Sequence, residues 1–351
     1  MSEESVDVVE REGIAESLGV GAVQVAGLVA TAALAVAMTA FVTLYWLQEY
    51  PIAGGLYEQY LVAGGWLDYY LGTNVFRHPF TWHSLATAVL IGVVAPLVGT
   101  FLVHREMALI GETLAHTAFA GVAVGLLFGA TTDWRASLLL AALVVGILGA
   151  LGVQWLAERT DAYGDVPIAI MLTGSFAVGT LIISYGRGLT SVNIDDYIFG
   201  NAAHVTVDGA RLMVVLSLLV VAVVAITYKQ LLFITFDEQA ARVARLNVTW
   251  YNALLVVMTA VVVVGAMQVL GVILVAGMLV IPVAAATQLA RSFRETLSLS
   301  ILFGQLSVLG GYGVAIHQSL PPGGSIIVVA IGFYLIAIAA SGWSVRALST
   351  H

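Results

Sequence analysis

One apolar stretch of the sequence carries two side chains that can bind a metal ion or move a proton. It reads GETLAHTAFAG over residues 111–121, and its Glu112 and His116 are four residues apart. In a helix, residues at that spacing lie on one face with their Cβ atoms about 6 Å apart. A carboxylate and an imidazole suit a divalent transition metal such as zinc or manganese, and they also suit a proton relay. A third interpretation is a hydrogen bond between them that only fixes helix packing.

The position of this pair within the apolar stretch makes it costly in a membrane. Counted from the turn near Arg105, Glu112 would lie roughly 10 Å and His116 about 16 Å into the layer. An ionised side chain at that depth costs a few kcal/mol. We therefore expect both residues to face a polar cavity or a partner. The residues that follow would let neighbouring helices approach closely around a narrow cavity, because they are small: Ala118, Ala120, Gly121 and Ala123.

A polar segment, NIDDYIFGNAAH at residues 193–204, carries a second group of candidate ligands. Its acidic and imidazole side chains are Asp195, Asp196 and His204. Such a group could attract a cation to the mouth of a pathway by its local field. The alternative is an ordinary solvated loop, which is the usual role of charge clusters between apolar spans.

A third segment, FDEQAARVARLNV at residues 236–248, has the pattern of a short helix. Acidic residues at its start and arginines near its end agree with the helix dipole. Such a helix between two spans can dock on a soluble partner or lie on lipid, and its acidic start and small apolar side chains favour the partner. The candidate docking residues are Phe236, Asp237, Glu238, Ala240 and Arg242.

The elements that position these residues are membrane helices. The chain is 60% hydrophobic and 10% charged, with a mean hydropathy of +0.99, whereas soluble domains are about 25% charged. We predict an all-α, polytopic membrane protein with about nine to ten transmembrane helices. The ten apolar spans are 21–46, 84–104, 108–130, 136–157, 166–186, 209–228, 250–267, 270–290, 297–317 and 325–345.

The spans divide the chain into three predicted parts. Residues 1–20 form an acidic cytoplasmic tail, and residues 21–83 form an extra transmembrane helix followed by an interfacial external loop at 47–83. Residues 84–347 form the main membrane domain, with the short cytoplasmic helix at about 236–246. Placing both termini in the cytoplasm puts nine Arg and Lys residues inside and four outside, which satisfies the positive-inside rule.

Several function classes are excluded by what the sequence lacks. It contains no cysteine, so thiolate metal ligation and disulfides are impossible. Its net charge is −8 with no basic patch, which argues against nucleic acid. The single lysine, Lys229, lies in TYKQ and not in a P-loop, so any ATP hydrolysis must come from another chain.

These motifs resemble a known family. The run FLVHREMALIGETLAHTAFAGVAVG, residues 101–125, resembles the signature region of the zinc/manganese/iron-type ABC transporter permeases, with Glu112 where that family usually has Asp. Residues 236–248 resemble the family's coupling region, with Arg245 where a glycine is common. The other similar segments are DDYIFGN (195–201), GVILVAGMLVIPVAAATQLA (271–290) and LPPGGSIIVV (320–329).

The resemblance covers about residues 79–345 and implies the membrane subunit of a plasma-membrane metal importer. It implies a homodimer in the lipid bilayer, two ABC ATPase subunits and an extracellular metal-binding lipoprotein. The chain itself would not be an enzyme. It would hold no permanent cofactor, and zinc, manganese or iron would be the transported substrate. Glu112 and His116 would bind the metal along a pathway that starts near residues 193–204.

Two other classes remain open on the residues alone. A self-powered secondary transporter would use Glu112 as a proton site and would need no ATPase. An intramembrane metalloprotease would require a His-Glu-x-x-His site, whereas this helix has a Glu-x-x-x-His pair and no second histidine.

Overall fold

The apolar runs fold into long helices, because backbone N–H and C=O groups in lipid must be paired within the segment itself. The computed structural model describes residues 3–131, 138–159, 166–185, 198, 200 and 205–348. Its helices are α1 (Glu3–Trp46), α2 (Pro51–Leu71), α3 (Pro79–His104), α4 (Leu109–Thr131), α5 (Leu138–Arg159), α6 (Val166–Tyr185), α7 (Val207–Phe236), α8 (Glu238–Val243), α9 (Val248–Leu270), α10 (Val272–Thr287), α11 (Phe293–Gln318) and α12 (Pro322–Leu348).

The predicted membrane architecture is confirmed. Within the described ranges, nine helices are long and apolar enough to cross a membrane, and they correspond to nine of the predicted spans. The predicted span 270–290 differs, because its helix α10 covers only 16 residues. Gly271 interrupts the chain between α9 and α10 with a φ of 78°, a conformation that a glycine adopts easily.

The segment 47–83, expected to be a loop, contains the 21-residue helix α2 and the first turn of α3. Its glycines and tyrosines lower the hydropathy of α2 below that of a membrane span. For that reason hydropathy alone did not predict a helix there. Pro51 at its first turn and Gly72 just after its end, with a φ of 65°, are standard helix boundaries. The acidic segment before residue 21 is also helical and continues into α1 from Glu3.

The core of the bundle is built on α3, α4 and α9. In the most apolar 18-residue stretch of each helix, 89% of the residues are buried in α3, 11% in α6 and 22% in α1. Helix α3 packs against α1, α7, α9, α10 and α11. Near its start Trp82 contacts Tyr60 of α2, and Arg105, directly after its last residue, contacts Glu238 of α8, so we name the two ends of the bundle the α2 end and the α8 end.

Candidate metal-ion site and the short helix at the α8 end

Helix α4 carries the Glu-x-x-x-His pair, and α5, α6, α9 and α10 pack against this helix. Its small residues permit this close packing. A Cβ atom on Gly121 would lie 2.7 Å from the Cα of Ala142, and one on Gly125 would lie 2.9 Å from the Cβ of Ala141. Ala118, Ala120 and Ala123 are buried as well. The predicted close approach of neighbouring helices is therefore present along α4.

Glu112 and His116 occupy two different environments on one face of α4. Glu112 lies in the first turn and is exposed, while His116 is half-buried one turn further on. The His116 ring meets the edge of Phe176 on α6, with ring centroids 4.9 Å apart. Within the described part of the chain, its buried Nδ1 has no hydrogen-bond partner. An imidazole nitrogen without a partner can bind a metal ion or donate a hydrogen bond.

Hydrogen bonds from neighbouring threonines fix the backbone around this pair. The Thr113 hydroxyl donates to the Ile168 carbonyl at 3.3 Å, which joins α4 to α6. The Thr117 hydroxyl donates to the Thr113 carbonyl at 2.8 Å. Both threonines are buried, so the helix between Glu112 and His116 is held against α6.

The two ligands do not form a complete metal cage by themselves. Among the residues that the structure describes, no group of three His, Asp or Glu side chains could hold an ion together. The predicted mouth residues Asp195, Asp196 and His204 lie outside the described residues. One carboxylate and one imidazole leave the remaining coordination positions to water or to other groups, which suits transient binding better than a structural site.

The short helix predicted at 236–246 is present as α8, Glu238–Val243. Asp237 caps it, because its carboxylate accepts a 2.8 Å hydrogen bond from the Ala240 N–H. Glu238 and Arg242 form an ion pair at 2.6 Å, one turn apart on the exposed side. The buried Ala241 packs between Ile234 of α7 and Val248 of α9.

The end of α8 places Arg245 in a backbone conformation that suits glycine. Arg245 has a φ of 62°, in the left-handed region that glycine favours. The Leu246 N–H donates to the Ala241 carbonyl and the Arg245 N–H to the Arg242 carbonyl, which is a Schellman motif. Arg245 occupies the left-handed position of that motif.

Arg105 connects α8 to the rest of the bundle, a role that the sequence did not reveal. Its guanidinium Nη2 donates to Asn252 Oδ1 of α9 at 2.7 Å and lies 3.5 Å from Glu238 Oε2. The side chain is only 8% exposed. Burial lowers the pKa of Arg105, and the Glu238 carboxylate opposes that shift, so the guanidinium stays charged. The partners lie more than a hundred residues away along the chain, so no local pattern signals the contact.

Phe236 forms a second, aromatic contact at this end. It is 64% exposed, and its ring lies 5.7 Å from Phe293 and 6.4 Å from His104. His104 and Phe293 are themselves 5.0 Å apart. Together these rings bring the ends of α3 and α7 against the start of α11. Outside this cluster, α8 exposes Val243, which is 86% accessible.

The chain is similar to permeases of metal transport systems. The profile of the ABC 3 transport family matches residues 77–341. The manganese transport system membrane protein MntC of Listeria innocua is 29% identical over 264 residues, which cover 75% of this chain and 91% of that protein. A probable iron transport system membrane protein of Haemophilus influenzae is 29% identical, with 76% and 96% covered.

A solved structure of similar fold is PsaBC from Streptococcus pneumoniae in complex with a Fab. It is 30% identical, covers 74% of this chain and 90% of that chain, and aligns with a TM-score of 0.65. Helices α3 to α12 fall almost entirely within the matched region, whereas α1 and α2 precede it.

Proposed function

Because the chain belongs to the ABC 3 transport family, we propose that it is the permease subunit of an ATP-driven importer of divalent transition metal ions. Zinc, manganese and iron are the candidate substrates. Oxygen and nitrogen ligands fit all three ions, so selectivity would rest on geometry and on the protein that delivers the metal. The named relatives are described as manganese or iron transport proteins.

The observation that carries this proposal is the pair Glu112 and His116 on α4. Both belong to the matched region, and both are ligands of the type that these ions prefer. The unpartnered Nδ1 of His116 supports metal binding over a purely structural role. A structural histidine at that position would be expected to use this nitrogen in a hydrogen bond.

In the proposed pathway, an external protein delivers the ion near residues 193–204, where Asp195, Asp196 and His204 attract it. The ion then passes Glu112 and His116 inside the bundle. Two protein ligands hold it weakly enough for release. An ABC ATPase docks on α8, on the surface formed by Phe236, Asp237, Glu238, Ala240 and Arg242, and its cycle moves α8 to alternate access.

The proposal includes the assembly and its orientation. Two copies of this chain span the plasma membrane, two ATPase subunits bind at the α8 end, and a metal-binding lipoprotein binds outside. Both termini and α8 face the cytoplasm. The arginine distribution of the sequence supports this orientation, with nine basic residues on the cytoplasmic side and four outside.

The test is metal uptake into proteoliposomes that contain the chain and its ATPase. Glu112→Ala and His116→Ala should each reduce ATP-driven uptake of Mn²⁺ or Zn²⁺ at least tenfold, while the complex still assembles. Glu49→Ala and His317→Ala are matched controls, since they remove an exposed glutamate and an exposed histidine elsewhere and should leave uptake unchanged. Uptake at the wild-type rate in both site variants would rule out the pathway assignment.

Two further measurements distinguish the ATP-driven importer from a self-powered secondary transporter. The ATP-driven importer transports nothing without the ATPase, whereas a secondary carrier would transport metal alone when a proton gradient is applied. Acid should weaken metal uptake, because His116 must be neutral to ligate and protons compete with the metal for its nitrogen. In the His116→Ala variant, the residual uptake should lose this part of its pH dependence.

A further inference from the structure

We infer that Arg105 is the positioning residue that transmits the movement of α8 to α4, the helix that carries Glu112 and His116. This inference rests on the proposed function, because it describes how that transporter would link ATP hydrolysis to the metal site. It assigns a role to the contacts between Arg105, Glu238 and Asn252, of which only Glu238 also belongs to the docking surface.

The first step is the position of Arg105 in the chain. It follows the last residue of α3 and precedes α4 by a turn of four residues, Arg105 to Ala108. The backbone of this turn is fixed by hydrogen bonds from the Met107 N–H to the Leu102 carbonyl at 2.9 Å and from the Ile110 N–H to the Met107 carbonyl at 3.1 Å. A force on Arg105 is therefore passed directly to the first turn of α4, where Glu112 lies.

The second step is the way in which α8 is held. Its apolar side packs through Ala241 on Ile234 and Val248, which belong to the helices directly before and after it in the chain. Those contacts move with α8 as one unit, because short connections join them. The Glu238–Arg105 contact is different, since it joins α8 to a segment more than a hundred residues away.

The third step concerns the chemistry of the contact. Arg105 is 8% exposed, and its Nη2 donates a 2.7 Å hydrogen bond to Asn252 Oδ1, so the side chain has little freedom. Glu238 is 40% exposed and shares its carboxylate between Arg105 and Arg242. The planar guanidinium offers several N–H donors in fixed directions, so it resists both shear and rotation better than a lysine would.

The aromatic cluster at the same end has another role in this scheme. Phe236 contacts His104 and Phe293, which join α7 to α3 and α11. Ring contacts of this kind depend on apolar packing and allow sliding, whereas the ion pair and hydrogen bond fix a direction. The cluster therefore stabilises the assembly of helix ends, and Arg105 defines the direction of movement.

The experiment measures metal transported per ATP hydrolysed by the reconstituted permease–ATPase complex. Arg105→Gln should lower this ratio at least fivefold while basal ATP hydrolysis stays within twofold of wild type, and Glu238→Gln should lower the ratio by a similar factor. The double variant should resemble either single variant, because both substitutions remove the same contact. Arg105→Lys should give an intermediate ratio. Arg294→Gln, which removes an exposed arginine outside this contact, is the matched control and should not change the ratio.

Each outcome decides the inference. A merely structural Arg105 would lower ATP hydrolysis and transport in equal proportion and leave the ratio unchanged, which would overturn it. If Arg105→Gln fails to assemble, the isosteric Glu238→Gln substitution at a partly exposed site still provides the test, and an unchanged ratio there would also overturn the inference. Failure of the wild-type complex to transport metal on ATP would instead refute the proposed function, so the two failures are distinguishable.

Discussion

The two ends of α3 are anchored by opposite means. At the α2 end, the buried carboxylate of Asp68 accepts hydrogen bonds from the hydroxyl of Thr73, from the backbone of Val75, Phe76 and Arg77, and from Arg77 Nε, at 2.8 to 3.4 Å. At the α8 end, Arg105 reaches one amide oxygen and one shared carboxylate on two other helices.

The two ends differ in how closely their contacts are tied to the local backbone. The Asp68 side chain is short, fully buried and bonded mainly to backbone within nine residues, so its contacts break only when the turn before α3 unfolds. The Arg105 side chain is bonded to side chains of two remote helices, so a shift of either helix would be passed to the turn that carries Arg105. The first arrangement stabilises a fixed turn, and the second is the contact that we propose transmits movement.

The largest effect is expected from removing the carboxylate at the α2 end. Asp68→Ala should lower the free energy of unfolding by roughly 3 kcal/mol, because it removes a buried acceptor and leaves several partly buried donors unpaired. Unfolding in mixed micelles, followed by tryptophan fluorescence, would measure this. Asp208→Ala is the control, since that carboxylate is 81% exposed in a surface pair and should contribute less than about 1 kcal/mol. Equal effects of both substitutions would remove the distinction between the two ends.

This anchor also predicts a dependence on pH. Burial opposes ionisation of Asp68, but the hydrogen bonds from Phe76, Thr73, Val75 and Arg77 outweigh it and lower the pKa to about 2. A carboxylate with a lowered pKa stabilises the folded state fully above its unfolded pKa of about 4. Its contribution is lost as the pH falls through about 2, and the Asp68→Ala variant should lack that loss.

Much of the fold was predictable, because hydropathy in a membrane is a strong local signal. The predicted span 21–46 ends where α1 ends, although the helix begins earlier, at Glu3, and the eight other long spans agree within a few residues at most boundaries. Helix α7 was predicted too short, since the predicted span ended at residue 228, before Lys229, whereas the helix continues to Phe236. Helix α2 was missed, because its tyrosines and glycines resemble an interfacial loop.

The candidate site was predictable only where its signal is local. Glu112 and His116 share a face of α4 because of their spacing, and the acidic residues predicted at the start of α8 are there. The partners of Arg105 were not predictable, because a contact across more than a hundred residues depends on how α3, α8 and α9 pack. The unpartnered nitrogen of His116 likewise becomes visible only once Phe176 of α6 is placed beside it.

A smaller effect is expected at the α8 end. Asn252→Ala removes the 2.7 Å partner of the Arg105 guanidinium and should lower the free energy of unfolding by about 1–2 kcal/mol, because a hydrogen bond to a charged group is lost. The same micelle titration measures it, and Gln59→Ala, at an exposed position of α2, should change stability by less than about 0.5 kcal/mol. A loss larger than that of Asp68→Ala would show that the α8 end is the more rigid of the two.

The smallest effects, of opposite sign, are expected in the turns that flank α3. Gly72 before α3 and Glu106 after it both have left-handed backbones, with φ of 65° and 57°. Gly72→Ala should destabilise by about 1 kcal/mol, although its Cβ would meet no atom within 4 Å, because the cost lies in the backbone conformation.

Glu106→Gly should stabilise the protein by up to about 1 kcal/mol, because glycine relieves the left-handed strain while it adds some entropy to the unfolded chain. Thermal unfolding of the two variants against wild type measures both shifts. If the turn after α3 is the element that passes movement to α4, Glu106→Gly should also lower the metal transported per ATP, since a glycine there loosens the backbone between Arg105 and Glu112. A more stable protein with an unchanged ratio would place the transmission elsewhere than in this turn.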